Sequence, residues 1–267
     1  MLKVNHNLKT AIQASLKAGI AIMQVYDTVF DVEYKDDKSP LTEADKLAND
    51  IINSYLIPTQ IPIVSEENKQ IDFSIRKTWE TCWIVDPVDG TKEFVKRNGE
   101  FTVNIALVHL GDPILGVIYV PATKVLYYAD VEKSEGFKAE LNSHQTSIED
   151  ILKVAKPLRP KQGDSNPIQV VGSRSHMSQE TLDFMDSLKE SGTQIEVVSK
   201  GSSLKFCLVA EGNADIYPRF APTMEWDTAA GQAICNAVGI QVISKETNKA
   251  LNYNKENLLN SFFLVKK

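Results

Sequence analysis

The chain has 267 residues, 43% hydrophobic and 24% charged, a composition that fits a folded globular protein with a substantial core. A net charge of −6 with no basic tail argues against binding a nucleic-acid polymer. No run approaches the roughly 20 apolar residues of a transmembrane helix. The three cysteines, Cys82, Cys207 and Cys235, form no CxxC pair, so buried reduced thiols are expected rather than disulfides or a zinc site. The first residues lack a signal-peptide apolar core, so a cytosolic location is expected, with peripheral association at the inner membrane left open.

Residues 5–29 read as a helix, with Leu8, Ile12, Leu16, Met23 and Tyr26 at near-helical spacing. The polar stretch 34–40 reads as a loop. A second helix starts near Thr42, with Ala44, Leu47, Ala48, Ile51, Ile52 and Tyr55 on one face. Short apolar runs at 61–65 and 81–85 read as strands. Three more, at 101–110, 114–120 and 124–129, are separated by turn signals and predict an antiparallel meander. The polar, Pro- and Gly-containing stretch 156–166 marks a boundary. Beyond it strands and helices alternate: strand 169–171, helix 178–190, strand 194–198, helix 203–211, strand 214–217, helix 228–238 and strand 240–243. The expected organisation is an α+β lobe over 1–160, with two N-terminal helices and a mainly antiparallel sheet, followed by an α/β lobe over 161–267.

The most informative segment runs from Trp83 to Phe94 and contains Asp86-Pro-Val-Asp-Gly-Thr91. Asp86 and Asp89 follow an apolar run that reads as a buried strand, and a proline fixes the turn between them. Carboxylates this close repel unless a cation lies between them, and oxygen-only ligands select a hard ion such as magnesium. Metal-dependent chemistry on a phosphate is the implied class. Bound divalent ions would also reconcile an acidic protein with an anionic substrate.

Four other segments join it. Glu66, in Ser65-Glu-Glu67, sits past the end of a strand, where α/β proteins gather ligands. Thr42-Glu-Ala-Asp45 opens the second helix, a spacing that by itself fits a capping box. Asp227, in Glu225-Trp-Asp-Thr-Ala-Ala-Gly231, stands at the expected N-cap of the last helix, where it could be a cap or a ligand. Gly201-Ser-Ser-Leu-Lys205 opens another helix, with N–H groups and hydroxyls available to an anion. Of the four histidines only His176, just past a strand, is placed for a ligand role, and a surface loop histidine is the competing reading. A P-loop and an HExxH zinc motif are absent. An EF-hand starting at Asp86 fails at Val88 and Arg97, which offer no side-chain oxygen ligand.

In order and spacing, T-x-A-D at 42–45, S-E-E at 65–67, D-P-x-D-G-T at 86–91 and W-D-x-A-A-G at 226–231 resemble the inositol monophosphatase superfamily of magnesium-dependent, lithium-sensitive phosphatases. The segments Gly201–Gly212 and Ala214–Arg219 resemble its 3′(2′),5′-bisphosphate nucleotidase branch, linked to sulfur metabolism. The resemblance implies a layered α-β-α-β-α sandwich, the sugar phosphatase-like fold. It implies removal of the 3′-phosphate of 3′-phosphoadenosine 5′-phosphate (PAP) to give AMP.

By resemblance, Glu66, Asp86 and the Val88 carbonyl would hold one magnesium. Asp86, Asp89 and Asp227 would hold a second, and a third, weaker ion would sit near Glu66 through waters. Thr91, bonded to Asp45, would activate the attacking water, with Gly90 and Thr91 N–H groups on the scissile phosphate. His176, Gly201, Ser202, Lys205 and Arg219 would contact the nucleotide and its second phosphate. Two-metal hydrolysis, with ions about 3.5–4 Å apart, requires such a convergence of carboxylates, and a threonine base needs a carboxylate behind it. The partner implied is a small nucleotide bisphosphate, with monomer and homodimer both open. The alternatives are an inositol monophosphate or sugar bisphosphate phosphatase with the same metal site, and a non-enzymatic metal- or nucleotide-binding module.

Overall fold

The structure is a computed structural model that describes residues 5–29, 32–34, 40–163, 166–172, 177–190 and 192–267. It begins with helix α1 (His6–Tyr26), strands β1 (Val32–Tyr34) and β2 (Pro40–Thr42), and helix α2 (Glu43–Leu56). Next come β3 (Ile63–Ser65), α3 (Phe73–Arg76), β4 (Thr81–Asp89), α4 (Thr91–Val95), β5 (Thr102–His109), β6 (Asp112–Val120), β7 (Val125–Asp130), β8 (Glu135–Glu140), α5 (Ile148–Val154) and β9 (Lys156–Pro157). The chain then forms β10 (Ile168–Gly172), α6 (Gln179–Glu190), β11 (Ile195–Ser199), α7 (Leu204–Ala210), β12 (Ile216–Arg219), α8 (Glu225–Ala237), β13 (Gln241–Ser244) and β14 (Phe263–Lys266).

Strands β3 to β9 form a seven-stranded sheet in sequence order, with β3 parallel to β4 and every other pair antiparallel. The second sheet has the order β11-β10-β12-β14-β13. Its first three strands are parallel, and β14 runs antiparallel between β12 and β13.

Side chains alternate across a strand, so the large sheet feeds two cores. Trp83, Val85, Val103, Ile105, Val117 and Tyr119 pack with α1 and α2. Cys82, Ile84, Ala106, Val108, Ile118 and Val120 face the other way and pack with α7, α8 and the second sheet. Helix α8 is buried on nearly every side, as a helix enclosed by both sheets must be. Helix α6 packs along β11, outside this shared core. The layers run helix, sheet, helix, sheet, helix.

Several element limits differ from the sequence reading. Helix α1 ends at Tyr26, and short strands β1 and β2 flank the expected loop, of which 35–39 lie outside the described residues. On α2 the buried face is Ala44, Ala48 and Ile52, while Leu47 is exposed. Strand β4 continues to Asp89 rather than stopping at 85, and α8 begins at Glu225 rather than 228. The meander gains β8, and β14 completes the second sheet. Both strands are short; charged residues interrupt the apolar pattern of β8, and β14 offers only Phe-Leu-Val before its lysine.

Helix α8 lies so close to β6 that a Cβ added at Gly116 would stand 2.5 Å from the Ala230 carbonyl oxygen and 2.7 Å from the Ala233 Cβ. Backbone cannot swing aside as a flexible side chain can. Gly116→Ala should therefore cost about 1–3 kcal/mol of stability by overpacking, read as a fall of several degrees in Tm. Catalytic loss should accompany it, because α8 carries Asp227.

Candidate active site

Cys82, Ile84 and Asp86 share one face of β4 by alternation. The ladder then pairs Asp86 with Asn104 and Asp89 with Thr102, three steps on one strand against two on the other. This one-residue bulge resets the phase and returns Asp89 to the face used by Asp86. Pro87 occupies the bulge without leaving an N–H unpaired, and the Val88 N–H donates to Asp86 Oδ1 at 3.0 Å. The shared face looks onto the first turn of α8. One carboxylate oxygen from each of Asp86, Asp89 and Asp227 lies within 4.8 Å of the others.

Asp227 is the third residue of α8 rather than its N-cap, because the helix starts earlier than its sequence suggests. Its Oδ2 accepts the Met224 N–H at 2.7 Å, so it does help satisfy the helix start. Glu66 follows β3 directly, and its N–H donates to the Val85 carbonyl at 3.2 Å. Its carboxylate is outside the close trio but near enough to act on Asp86 electrostatically.

Thr42 and Asp45 make the hydrogen bond that their spacing suggests, and more. Asp45 Oδ2 accepts from the Thr42 N–H at 2.8 Å and from the Thr42 hydroxyl at 2.7 Å. Its Oδ1 receives the Thr91 hydroxyl at 3.3 Å, and the same hydroxyl is 3.2 Å from the Val88 carbonyl. The two oxygens divide the work, one fastening the helix and one facing Thr91. Gly90, at φ +92°, forms the N-cap of α4 in the left-handed region that glycine tolerates.

A cavity of about 490 Å³ adjoins the trio and is lined by Asp89, Gly90, Ser202, Lys205, Arg219 and Asp227 among others. Lys205 is 7% exposed and donates to the carbonyls of Ser202 at 2.7 Å and Lys200 at 3.4 Å. Burial lowers its pKa to about 8, with Arg219 pushing the same way and Asp89 opposing. Arg219 donates to the Pro222 carbonyl at 3.0 Å, and its buried Nε has no hydrogen-bond partner among the described residues.

The donors of the 201–203 turn, offered by the sequence to an external anion, bind carboxylates of the protein itself. Gly201 N–H donates to Glu100 Oε2 at 2.8 Å. The Ser202 hydroxyl and the Ser203 N–H reach Asp89 Oδ2 at 2.8 and 2.6 Å. Glu100, Thr102 and Asn104 are site residues that the sequence reading passed over. Their signal is polarity at positions the fold buries, visible only once the strand's faces are known. His176 lies outside the described residues.

The trio is costly as it stands. Burial, reinforced by Glu66, Asp89, Asp227 and Asp45, raises the Asp86 pKa well above the usual carboxylate range. Burial and Asp89 push Asp227 up to about 7, against the lowering effect of the Met224 N–H. An all-oxygen donor set under mutual repulsion fits a hard divalent cation.

With this geometry in view, the chain belongs to the inositol monophosphatase family, whose model matches residues 3–261. It is 45% identical over 263 residues to the 3′(2′),5′-bisphosphate nucleotidase CysQ of Salmonella typhimurium, covering 97% of this chain and 98% of that protein. Identity to CysQ of Escherichia coli is also 45%, over 258 residues, with 95% and 96% covered. The crystal structure of CysQ from Bacteroides thetaiotaomicron matches with a TM-score of 0.88 at 45% identity, covering 100% of this chain and 98% of that one. An IMPase of Thermotoga maritima matches at 0.75 with 25% identity, covering 98% and 92%. No helix of the described residues is long and apolar enough to cross a membrane.

A carboxyl group with a raised folded-state pKa binds more protons folded than unfolded. In metal-free protein, stability should therefore fall as pH rises from the unfolded Asp value, about 4, through the folded value of about 7 for Asp227. A divalent ion competes with those protons. The gain in Tm on adding magnesium should be small near pH 4–5 and grow to several degrees by pH 8, as measured by scanning fluorimetry. A gain that is independent of pH would contradict the raised values.

Proposed function

We propose that the protein is a magnesium-dependent 3′(2′),5′-bisphosphate nucleotidase that hydrolyses the 3′-phosphate of PAP to AMP and phosphate. The observation that carries this reading is the sharing of one cavity by an acidic cage and two cations, the buried Lys205 and the half-buried Arg219. A monophosphate substrate would use only the cage, whereas a bisphosphate uses both.

In this reading Glu66, Asp86 and the Val88 carbonyl hold one ion, and Asp86, Asp89 and Asp227 hold another, with a third weaker site near Glu66. When bound, such ions lower the pKa of water and neutralise charge on the attacking and leaving oxygens. The chain's own groups do the rest. The Thr91 hydroxyl passes its proton to Asp45 Oδ1 as it takes one from the attacking water. Asp45 is suited to this because Thr42 already occupies its other oxygen and fixes its orientation. The N–H groups of Gly90 and Thr91 bind the scissile phosphate. The ammonium of Lys205 and the guanidinium of Arg219 take the second phosphate, with Gly201, Ser202 and His176 around the nucleotide.

Phosphate release should be measured with PAP, inositol 1-phosphate and fructose 1,6-bisphosphate, each with and without magnesium. PAP should lead by kcat/KM, and every rate should depend on the metal. Preference for inositol 1-phosphate would move the enzyme to the monophosphatase branch, and no release from any substrate would leave a binding module. Lys205→Ala should raise KM for PAP about tenfold or more, the 1.5–3 kcal/mol of a charged hydrogen bond. KM for inositol 1-phosphate should change little; equal effects on both would remove Lys205 from the second-phosphate pocket.

A further inference from the structure

Beneath the cage a buried polar network joins the large sheet to the start of α7. Thr102, Asn104 and Ser203 are each no more than 2% exposed. They stand on the inward face of β5 and at the N-cap of α7. Asn104 Oδ1 accepts from the Ser203 hydroxyl at 2.8 Å and from the Thr102 hydroxyl at 3.0 Å. An ionised Asp89 Oδ2 can only accept, so it fixes the carboxamide flip: Nδ2 points at it, 3.3 Å away, and Oδ1 is left to the hydroxyls. The same Oδ2 receives the Ser202 hydroxyl and the Ser203 N–H. Thr102 is 2.8 Å from both serine hydroxyls and links the two arms. Each hydroxyl has one proton, so with Ser202 donating to Asp89 the protons of Thr102 and Ser203 reach Asn104 directly or one through the other.

We propose that Asn104 is a positioning residue for Asp89. Held by Ser203, it helps keep Oδ2 bound to the protein and leaves the other carboxylate oxygen to face Asp86 and Asp227. Without it, Oδ2 keeps only the Ser202 and Ser203 donors, the Asp89 side chain is held less firmly in its bulge and the spacing of the cage loosens. The proposal rests on the reading of the trio as a divalent-metal site.

The test is calorimetric magnesium titration of wild type, Asn104→Ala and Ser203→Ala, with steady-state kinetics on PAP and the metal-free Tm of each. Ser203→Ala keeps the backbone N–H on Asp89 and removes the hydroxyl that touches Asn104 and Thr102, so it answers the question even if Asn104→Ala does not fold. Asn104→Ala should weaken magnesium binding by about 10-fold or more, the usual cost of losing a partner behind a metal ligand. Ser203→Ala should act in the same direction by less. In both, kcat should fall with KM for PAP little changed. Magnesium affinity within twofold of wild type in the folded variants, whatever their Tm, would overturn the proposal and assign the network to stability alone. A wild type that takes up no magnesium would instead overturn the metal reading, and this proposal with it.

Discussion

Like charges buried at short range are the constraint around which this molecule is arranged. Asp86, Asp89 and Asp227 come within 4.8 Å of one another at the junction of two sheets. Nothing in the hydrophobic core favours that, and burial penalises the charged forms of Asp86 and Asp227. The fold answers with local hydrogen-bond donors. Val88 donates to Asp86, the 202–203 turn and Asn104 to Asp89, and Met224 to Asp227. These donors hold the side chains in place without cancelling the repulsion, since Asp86 and Asp227 still hold their protons more tightly than ordinary aspartates. The residual repulsion is what gives the site its appetite for a cation.

The spacing of the trio depends on how α8 is fixed against the large sheet, because Asp227 comes from one and its partners from the other. Three devices set it. Gly116 lets the helix backbone approach β6 closely. The buried Glu225, on the same helical turn as Asp227, accepts from the N–H groups of Asn254 and Lys255 and from the Lys255 ammonium. Arg76, buried at the end of α3, reaches the Asn254 side chain at 2.7 Å and the Lys255 carbonyl at 3.1 Å. The segment 254–256 thus joins the first half of the chain to α8, far in sequence from the carboxylates whose separation it helps to set.

How much of this was legible in the sequence depended on whether the signal was local. Asp86-Pro-Val-Asp-Gly-Thr91 could be read because two carboxylates around a proline at the end of an apolar run have no ordinary structural use. Strand β5 could be read from its apolar run, but its buried polar residues, Thr102 and Asn104, could not be interpreted, because which face meets α7 is a tertiary fact. The start of α8 was misplaced since Asp227 looks like a cap residue and Met224 does not. The real cap works through Asp227 reaching back to the Met224 N–H. Strand β14 escaped because it is four residues long and its place, antiparallel between β12 and β13, is a tertiary fact. The 201–203 donors were identified as anion binders, and the anions they meet are Asp89 and Glu100.

That last point bears on how one scaffold can serve different phosphate esters. The cage is built from a bulged strand and a buried helix, elements that cannot move without disturbing the common core. Lys205 and Arg219, from α7 and β12, form a second wall of the same cavity. The Lys205 ammonium lies 5.7 Å from the ring centre of Tyr217, which supports it from below. In the proposed reading, changing these cations would alter which second group the cavity accepts while leaving the carboxylates where they are. Ser202 couples the two walls, since it donates to Asp89 through its hydroxyl and accepts from Lys205 through its carbonyl. A ligand that drew the Lys205 ammonium away from that carbonyl would therefore act on the same residue that steadies Asp89.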